Sequence, residues 1–523
     1  MNVYKEILRR NISRLLNTIN LDSFSDAYGN ADREFWGWKI KDFSNGTSQG
    51  CIHSLAIAYR LGIFSDKNHL LEIVDAVFGS IQKVATKKGS MAEAYPNEHS
   101  FCVTALVAFD ALSAIDFLKD EIEEEKRSSY YHIIEPLIGF ISRYDEKHSI
   151  ISNHLATGVA AIALWNKLSG ASNKRDGELL NTIYSHQSEE GWYREYEGAD
   201  PGYQTLCTYY LTAAWEITED KELEKSILTS LDYLKYFVHP DHNIGGLYGS
   251  RNTEVYYPAG IVKMASIDST AAQIETALME GIELNRQILP DGIDIGNFIP
   301  LLNAYARAAW YAESKTETKE MEETPLPFRN RFEKEFPEAG IYLKATDKYY
   351  AITNYKKGGT MKVFDLAKAG LDYEYPGIFG VLNNNIKVST QSHNDNATFR
   401  DQTLEASFYE LNEDYPTPFR FLIIRILSLS VFRNVGWGIT FKKMIVKRLM
   451  TGKNKVAAGA RIKFNFTDSS IVIDEDIHAK GDLQLYHPSG SKAIHMASSG
   501  YNSATARTRI EDSIFVDIKT VKR

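Results

Sequence analysis

The sequence predicts a two-domain chain of the α+β multidomain class: an N-terminal (α/α) toroid, drawn as an incomplete barrel, followed by a C-terminal antiparallel β-sandwich. Three observations predict it. Buried-looking helices recur about every fifty residues through the first three hundred. A charged stretch from Glu313 to Pro327 is poor in large apolar residues. Beyond it, short segments alternate or run apolar between turns. The boundaries read as 1–315 for the toroid, 316–330 for a linker and 331–523 for the sandwich.

The recurring helices begin with polar or turn residues and continue in Ala, Leu and other apolar side chains. Examples are Thr47 to Tyr59, Glu98 to Phe109, Ser152 to Trp165 and Pro201 to Leu211, with Asp268 to Leu278 and Asn297 to Ala306 as two more. A helix apolar nearly all round belongs in an interior. Amphipathic segments between them, such as Asn68 to Lys83, Tyr130 to Tyr144 and Lys221 to Phe237, read as an outer layer. If the inner helices run parallel, their N-termini gather at one mouth, where free N–H groups and helix dipoles favour anions. In the second half, Gly340 to Ala345, Lys348 to Tyr355, Ile386 to Thr390, Arg461 to Phe466, Ser470 to Ile473 and Ser513 to Ile518 read as strands.

Composition narrows the function. The 523 residues carry 59 Lys and Arg against 68 Asp and Glu, a net charge of −9, which argues against a nucleic-acid partner. A cleft can still be locally positive, so an acidic substrate stays open. Cys51, Cys102 and Cys207 are an odd set among small apolar residues and read as buried thiols. No apolar run is long enough for a membrane span, so no integral membrane segment is expected. The nearest run, Phe419 to Phe432, is broken by Arg420 and Arg425 and reads as a strand or buried helix. The lack of a signal-peptide pattern predicts a cytoplasmic location, with periplasm and cell surface as alternatives. The sequence leaves the oligomeric state open.

The loops leading into the inner helices hold the unusual residues. Trp36, Trp38, Tyr95, Trp192 and Tyr193 could stack on sugar faces; Lys39, Arg194 and Arg251 could bind carboxylates; Glu98, Glu195, Asn252, Glu254 and Tyr257 could orient hydroxyls or Arg251. Asn153 and His154 stand together at a helix start, and Tyr203 opens the next inner helix after Gly191-Trp-Tyr-Arg-Glu. Read alone, Asn153-His154 is also what an N-cap followed by a hydrogen-bonded histidine looks like.

The Asn153-His154 pair with Tyr203 resembles the catalytic Asn-His and Tyr of the heparinase II/III and alginate lyase superfamily. Phe336-Pro-Glu-Ala-Gly-Ile-Tyr and Lys357-Gly-Gly resemble that family's opening β-strands, and Ser392-His-Asn-Asp-Asn-Ala-Thr-Phe399 resembles its His-x-Asp motif. The Asp-x-Gly-x-Tyr segment that follows in the family has no counterpart here. The Trp- and Arg-rich loops look most like members from bacterial surface-polysaccharide gene clusters. The resemblance implies β-elimination on an acidic, uronate-containing polysaccharide or oligosaccharide, such as an O-antigen or capsule. Asn153 and His154 would neutralise the carboxylate, Tyr203 would serve as acid, base or both, and Arg194 and Arg251 are candidates for the positive environment that lowers its phenol. No cofactor is required; His393 and Asp395 are candidate ligands for a structural divalent metal in the β-domain, with His478 or His487 as a third. Two alternatives stay open: a glycoside hydrolase using paired carboxylates from Glu98, Glu195, Asp200 and Glu254, and a polysaccharide-binding protein without activity.

Overall fold

The computed structural model describes residues 2–146, 148–314, 325–411, 417–447, 452–486 and 513–522. Most of the predicted linker, and His487, lie outside the described residues.

Helices alternate between two layers. The inner ones are α3 (Ile52–Arg60), α5 (Phe101–Leu118), α7 (Ser152–Ser169), α9 (Pro201–Thr218), α11 (Ala259–Met264) and α13 (Ile295–Glu313). The outer ones are α1 (Val3–Leu16), α4 (Lys67–Val84), α6 (Glu124–Arg143), α8 (Arg175–His186), α10 (Lys221–Leu234) and α12 (Ser269–Glu283); α2 (Arg33–Trp36) is a single turn in a loop. Each inner helix packs on the next, and α13 packs on α3, so the ring closes rather than stopping short. The sequence pattern misassigned one unit. The Asp268 segment is outer α12, with a single buried face of Ala271, Ile274, Leu278 and Ile282. The fifth inner helix is the short α11, whose six residues are too few to show a period.

The layers follow from side-chain distribution. In α5, fifteen consecutive or near-consecutive residues from Phe101 to Leu118 are buried, whereas α4 buries Leu70, Ile73, Val74, Val77, Phe78 and Ile81 at helical spacing. Side chains of Asp66, Ser100, Asp200, Asp220, Asp268 and Asp294 accept first-turn N–H groups and fix where α4, α5, α9, α10, α12 and α13 start. Among the described residues α5 is the one helix long and apolar enough to cross a membrane, and 83% of that stretch is buried in the ring.

A two-stranded hairpin, β1 (Arg194–Glu195) and β2 (Gly198–Ala199), leads into α9. The second domain has two sheets. One holds β3 (Phe332–Phe336), β4 (Ile341–Ala345), β5 (Tyr349–Asn354), β6 (Thr360–Asp365) and β7 (Gly370–Tyr375) in that order. The other comprises β8 (Phe379–Leu382), β9 (Ile386–Ser389), β10 (Thr403–Glu410), β11 (Lys455–Phe466), β12 (Ile471–Ala479), β13 (Leu483–Tyr486) and β14 (Val516–Lys522). Its order is β13-β8-β9-β10-β11-β12-β14, antiparallel except that β12 and β14 run parallel, a departure from the expected all-antiparallel sandwich.

The centre of the first sheet, β5 and β6, is buried on both faces. Tyr349 and Ala351 of β5 pack into the sandwich, while the alternate residues Tyr350 and Ile352 join the toroid core. Phe332 and Phe336 of β3 meet Tyr236 edge-on, and the Tyr350 hydroxyl donates to the Tyr236 carbonyl. The domains therefore share one apolar seam. Between β10 and β11 the chain leaves the sheet to form two helices, α14 (Pro418–Leu429) and α15 (Val435–Val446), which sit on the toroid mouth. The Phe419 to Phe432 run is thus helical, as one of the two readings had it, but α14 lies at the surface rather than in a core.

Candidate active site

Two groups of charged residues meet at the N-terminal end of α7. On one side, the 93–99 loop folds back on itself so that the Glu98 carboxylate accepts the N–H groups of Glu93 and Ala94, both at 2.8 Å. Lys442 of α15 reaches in and pairs with Glu98 at 2.9 Å and Glu146 at 3.7 Å. Glu146 also meets His154 Nδ1 at 2.6 Å and His148 Nδ1 at 3.3 Å. Burial opposes charge on all of these groups, and the partners decide the outcome. His154 and Lys442 hold Glu146 well below the usual carboxylate range, and Glu98 and Glu146 hold Lys442 above the usual lysine range. Burial disfavours the His154 imidazolium too, yet contacts with Cys102 and Glu146 raise its pKa well above 6.5. Cys102 is itself pushed upward by burial and is a neutral thiol at pH 7, so Glu146 is the charge that keeps His154 protonated. His148 goes the other way: burial, with Lys442 and His154 nearby, lowers it to about 4.

On the other side, Glu195 of β1 accepts the Asn153 backbone N–H at 2.9 Å and the Asn153 side-chain N–H at 2.7 Å. Glu195 thus caps α7 from outside, and Asn153 is the second helical residue rather than the N-cap, which is Ile151. Burial drives the Glu195 carboxyl up to about 8, against the pull of those two donors. Asp200 caps α9 through the Tyr203 N–H at 3.0 Å and accepts the Arg251 N–H at 2.7 Å. Tyr203 sits half-buried on the first turn of α9, the ring neighbour of α7, with Tyr257 beside it. The Arg251 guanidinium lies 4.5 Å from the centre of the Tyr196 ring. Tyr196 holds a left-handed backbone, φ 58°, at the tip of the β1–β2 hairpin, a conformation that bulky side chains avoid.

Of the residues singled out in the sequence, Asn153, His154, Glu98, Glu195, Arg194, Arg251 and Tyr203 lie on the helix starts and loops described above. Arg194 donates from Nε to the Tyr196 carbonyl at 3.1 Å. Others have different work. Tyr95 is buried beneath the helical insertion against Phe432 and Phe441, so its ring is not a sugar platform. Trp192 is buried and donates from Nε1 to Glu190, which also accepts the backbone N–H groups of Glu338 and Ala339; it fastens the domain seam. Tyr193 is buried with its hydroxyl against Ser226. Glu254 pairs with Lys362, which also meets Glu374 at 3.3 Å, so it takes part in the domain seam. Asn252 accepts from Lys357, and the Tyr257 N–H donates to Thr205 at 3.0 Å. Trp36 donates from Nε1 to the Thr18 carbonyl at 2.8 Å. Trp38 and Lys39 are exposed on the 37–43 loop, which the Arg425–Asp42 pair at 2.9 Å ties to α14.

His393 and Asp395 meet at 3.1 Å, but among the described residues no group of three His, Cys, Asp or Glu could hold a metal. His393 lies instead beside Gly198, where an added Cβ would come within 3.1 Å of its ring, so the second domain brings it to the β1–β2 hairpin. The sequence reading missed Glu146, His148, Tyr196, Lys357 and Lys442. Glu146 and His148 lie between α6 and α7 in a stretch with no pattern of its own; Tyr196, inside the quoted Gly191 to Tyr203 loop, carried a weak signal as an aromatic beside Glu195. Lys357 is buried and donates to the carbonyls of Leu247 at 2.9 Å and Gly249 at 2.5 Å. Burial lowers its pKa to about 7 although Asp200 opposes the shift.

No family model matches the chain, and no curated protein does. Among solved structures it is similar to a heparinase III gene product, with TM-score 0.44 and 10% identity over 91% of this chain and 71% of that one. It is similar to a second heparinase III, with TM-score 0.45 and 12% identity over 73% of this chain and 61% of that one. A chondroitin AC lyase from Streptomyces coelicolor A3 has TM-score 0.48 and 11% identity over 79% of this chain and 65% of that one. At such identities no residue role passes from those proteins to this chain.

Proposed function

We propose that this protein is a polysaccharide lyase that cleaves an acidic, uronate-containing bacterial glycan by β-elimination. The observation that carries the reading is His154 paired with the Glu146 carboxylate at 2.6 Å, next to Asn153 on the first turn of α7, and that carboxylate favours the imidazolium. A uronate carboxylate placed there meets an imidazolium and the helix N-terminus, which together tolerate the enolate-like charge that forms when the C5 proton leaves. The Asn153 amide has one N–H committed to Glu195 and a second to offer. Tyr203 takes the C5 proton; the C4–O bond breaks, a C4–C5 double bond forms, and the leaving oxygen is protonated by the same phenol. A transient tyrosinate needs a cation nearby, and Arg251, whose backbone N–H meets the α9 cap Asp200, is the candidate for it.

Glu195, with its carboxyl raised to about 8, has the pKa a hydrolase wants in a general acid. Both of its oxygens are taken by Asn153, which disfavours that role. The test is Tyr203→Phe on a panel of uronate-containing polysaccharides, followed by the ultraviolet absorbance of unsaturated product. Turnover should fall about 10²–10⁴-fold with binding retained. An active Tyr203→Phe protein, or products that are saturated, would overturn the lyase reading.

A further inference from the structure

The helical insertion between β10 and β11 presents an apolar face to solvent. A tight turn would join these two paired strands, yet residues 411–454 intervene. Along α14, Phe419, Leu422, Ile423, Ile426 and Leu429 recur at helical spacing and are 42% to 70% exposed. Trp437 of α15 is 63% exposed. Trp38 and Ile40, each 70% exposed, belong to the loop that Arg425 ties to α14. This face is firmly mounted. Asn97 Nδ2 donates to the Ser428 carbonyl at 2.8 Å, His99 Nε2 to the Phe432 carbonyl at 2.8 Å, and Phe432 stacks against Phe441 at 4.4 Å.

Its charge is one-sided. From residue 415 to 467 the sequence has no Asp or Glu, in a chain whose net charge is −9. Arg420, Arg433, Lys443 and Lys447 are exposed on the insertion itself. An apolar helix face with tryptophans at its margin and cations around it is the composition of a helix that lies in the headgroup region of a bilayer. A second copy of the chain is a poorer occupant. Self-association through a two-fold axis would set these cations against their own copies, with no Asp or Glu between residues 415 and 467 to meet them.

We infer that the α14–α15 insertion, with Trp38 and Ile40, docks the protein on a membrane surface bearing anionic lipid headgroups. The docking is peripheral: α14 has 12 residues, too short to span. Lys442, which reaches into the candidate active site, is on the same insertion, so docking would set the mouth of the toroid close to the lipid surface. The inference does not depend on the lyase reading.

The full chain is sedimented with phosphatidylcholine vesicles, with and without phosphatidylglycerol. Binding is expected only with the anionic lipid and should weaken as salt rises. The triple change Leu422→Ser, Ile426→Ser and Leu429→Ser should abolish it. Arg433→Gln with Lys443→Gln should weaken it by about fivefold per cation removed. Circular dichroism melts of each variant must match the parent, and the charge variant, which leaves the apolar face intact, covers the case in which the triple variant misfolds. Absence of binding to anionic vesicles overturns the inference. So does binding that the folded variants leave unchanged, or a dimer lost in the triple variant without any vesicle binding.

Discussion

Glu98 and Glu146 on one side of the candidate site are as buried as Glu195 and Asp200 on the other, yet the two pairs are shifted in opposite directions. Around Glu146, opposite charges outweigh burial for Glu98, Glu146, His154 and Lys442, which favours their charged forms, while burial still prevails at Glu93 and His148. Around Glu195, the partners are mainly amide N–H groups, and burial prevails: Glu195 rises to about 8, Asp200 is raised, and Lys357 falls to about 7. The lesson is that hydrogen-bond donors alone do not replace a counter-charge in a dry site.

The comparison breaks first at Lys442. Lys442→Met leaves Glu98 and Glu146 buried without their shared cation, and removing one partner of such a cluster costs about 3–5 kcal/mol. Lys357→Met should cost less, about 1–3 kcal/mol, because that lysine is already close to neutral and the loss is mainly of its bonds to carbonyls. Denaturant unfolding of both variants at neutral pH tests the order. Equal costs would mean that the two sides do not differ in charge.

The pH dependence sharpens the same contrast. Glu195 has a raised folded pKa, so between about 4.3, its unfolded value, and about 8 the folded chain keeps a proton that the unfolded chain has lost. That term makes stability fall as pH rises through this window. Glu195→Gln should remove this slope from the melting temperature measured across it. Glu146 is depressed, so its contribution is present above about 4.3 and is lost as pH falls through its folded pKa. His154 is raised, so its contribution is complete below about 6.5 and is lost as pH rises through its folded pKa. Turnover should also decline on that alkaline limb, and His154→Gln should abolish the decline together with most activity.

The difference between the sides also explains what could be read in the sequence. Asn153, Glu195, Tyr203 and Arg251 lie within a hundred residues on successive units of a repeat, and the repeat itself brings them to one mouth. Lys442 comes from an insertion in the other domain nearly three hundred residues from His154, and no periodicity links the two. Trp192 and Tyr95 misled for a related reason. An aromatic in a loop looks the same in sequence whether it faces a cleft or a second domain, and here the seam and the insertion cover both. Six of the twelve described strands of the second domain, β4, β5, β9, β11, β12 and β14, were legible because period two is visible even in short runs, whereas α11 was too short to show any.

The smallest effect is expected at Glu254, a residue that sequence alone offered as a carboxylate for hydrolysis. Its Oε1 pairs with Lys362, and Lys362 also has Glu374 at 3.3 Å. Glu254→Gln keeps the shape and an oxygen for the lysine to donate to, and Lys362 retains a counter-charge, so no buried cation is stranded. The melting temperature should fall only slightly and turnover should stay at the parent level, measured as unsaturated product. A hydrolase that used Glu254 as acid or nucleophile would instead lose its activity in this variant, because glutamine can neither donate that proton nor attack the anomeric carbon. Loss of turnover with an unchanged melting temperature would therefore move Glu254 from the domain seam into the chemistry and reverse the assignment made for it here.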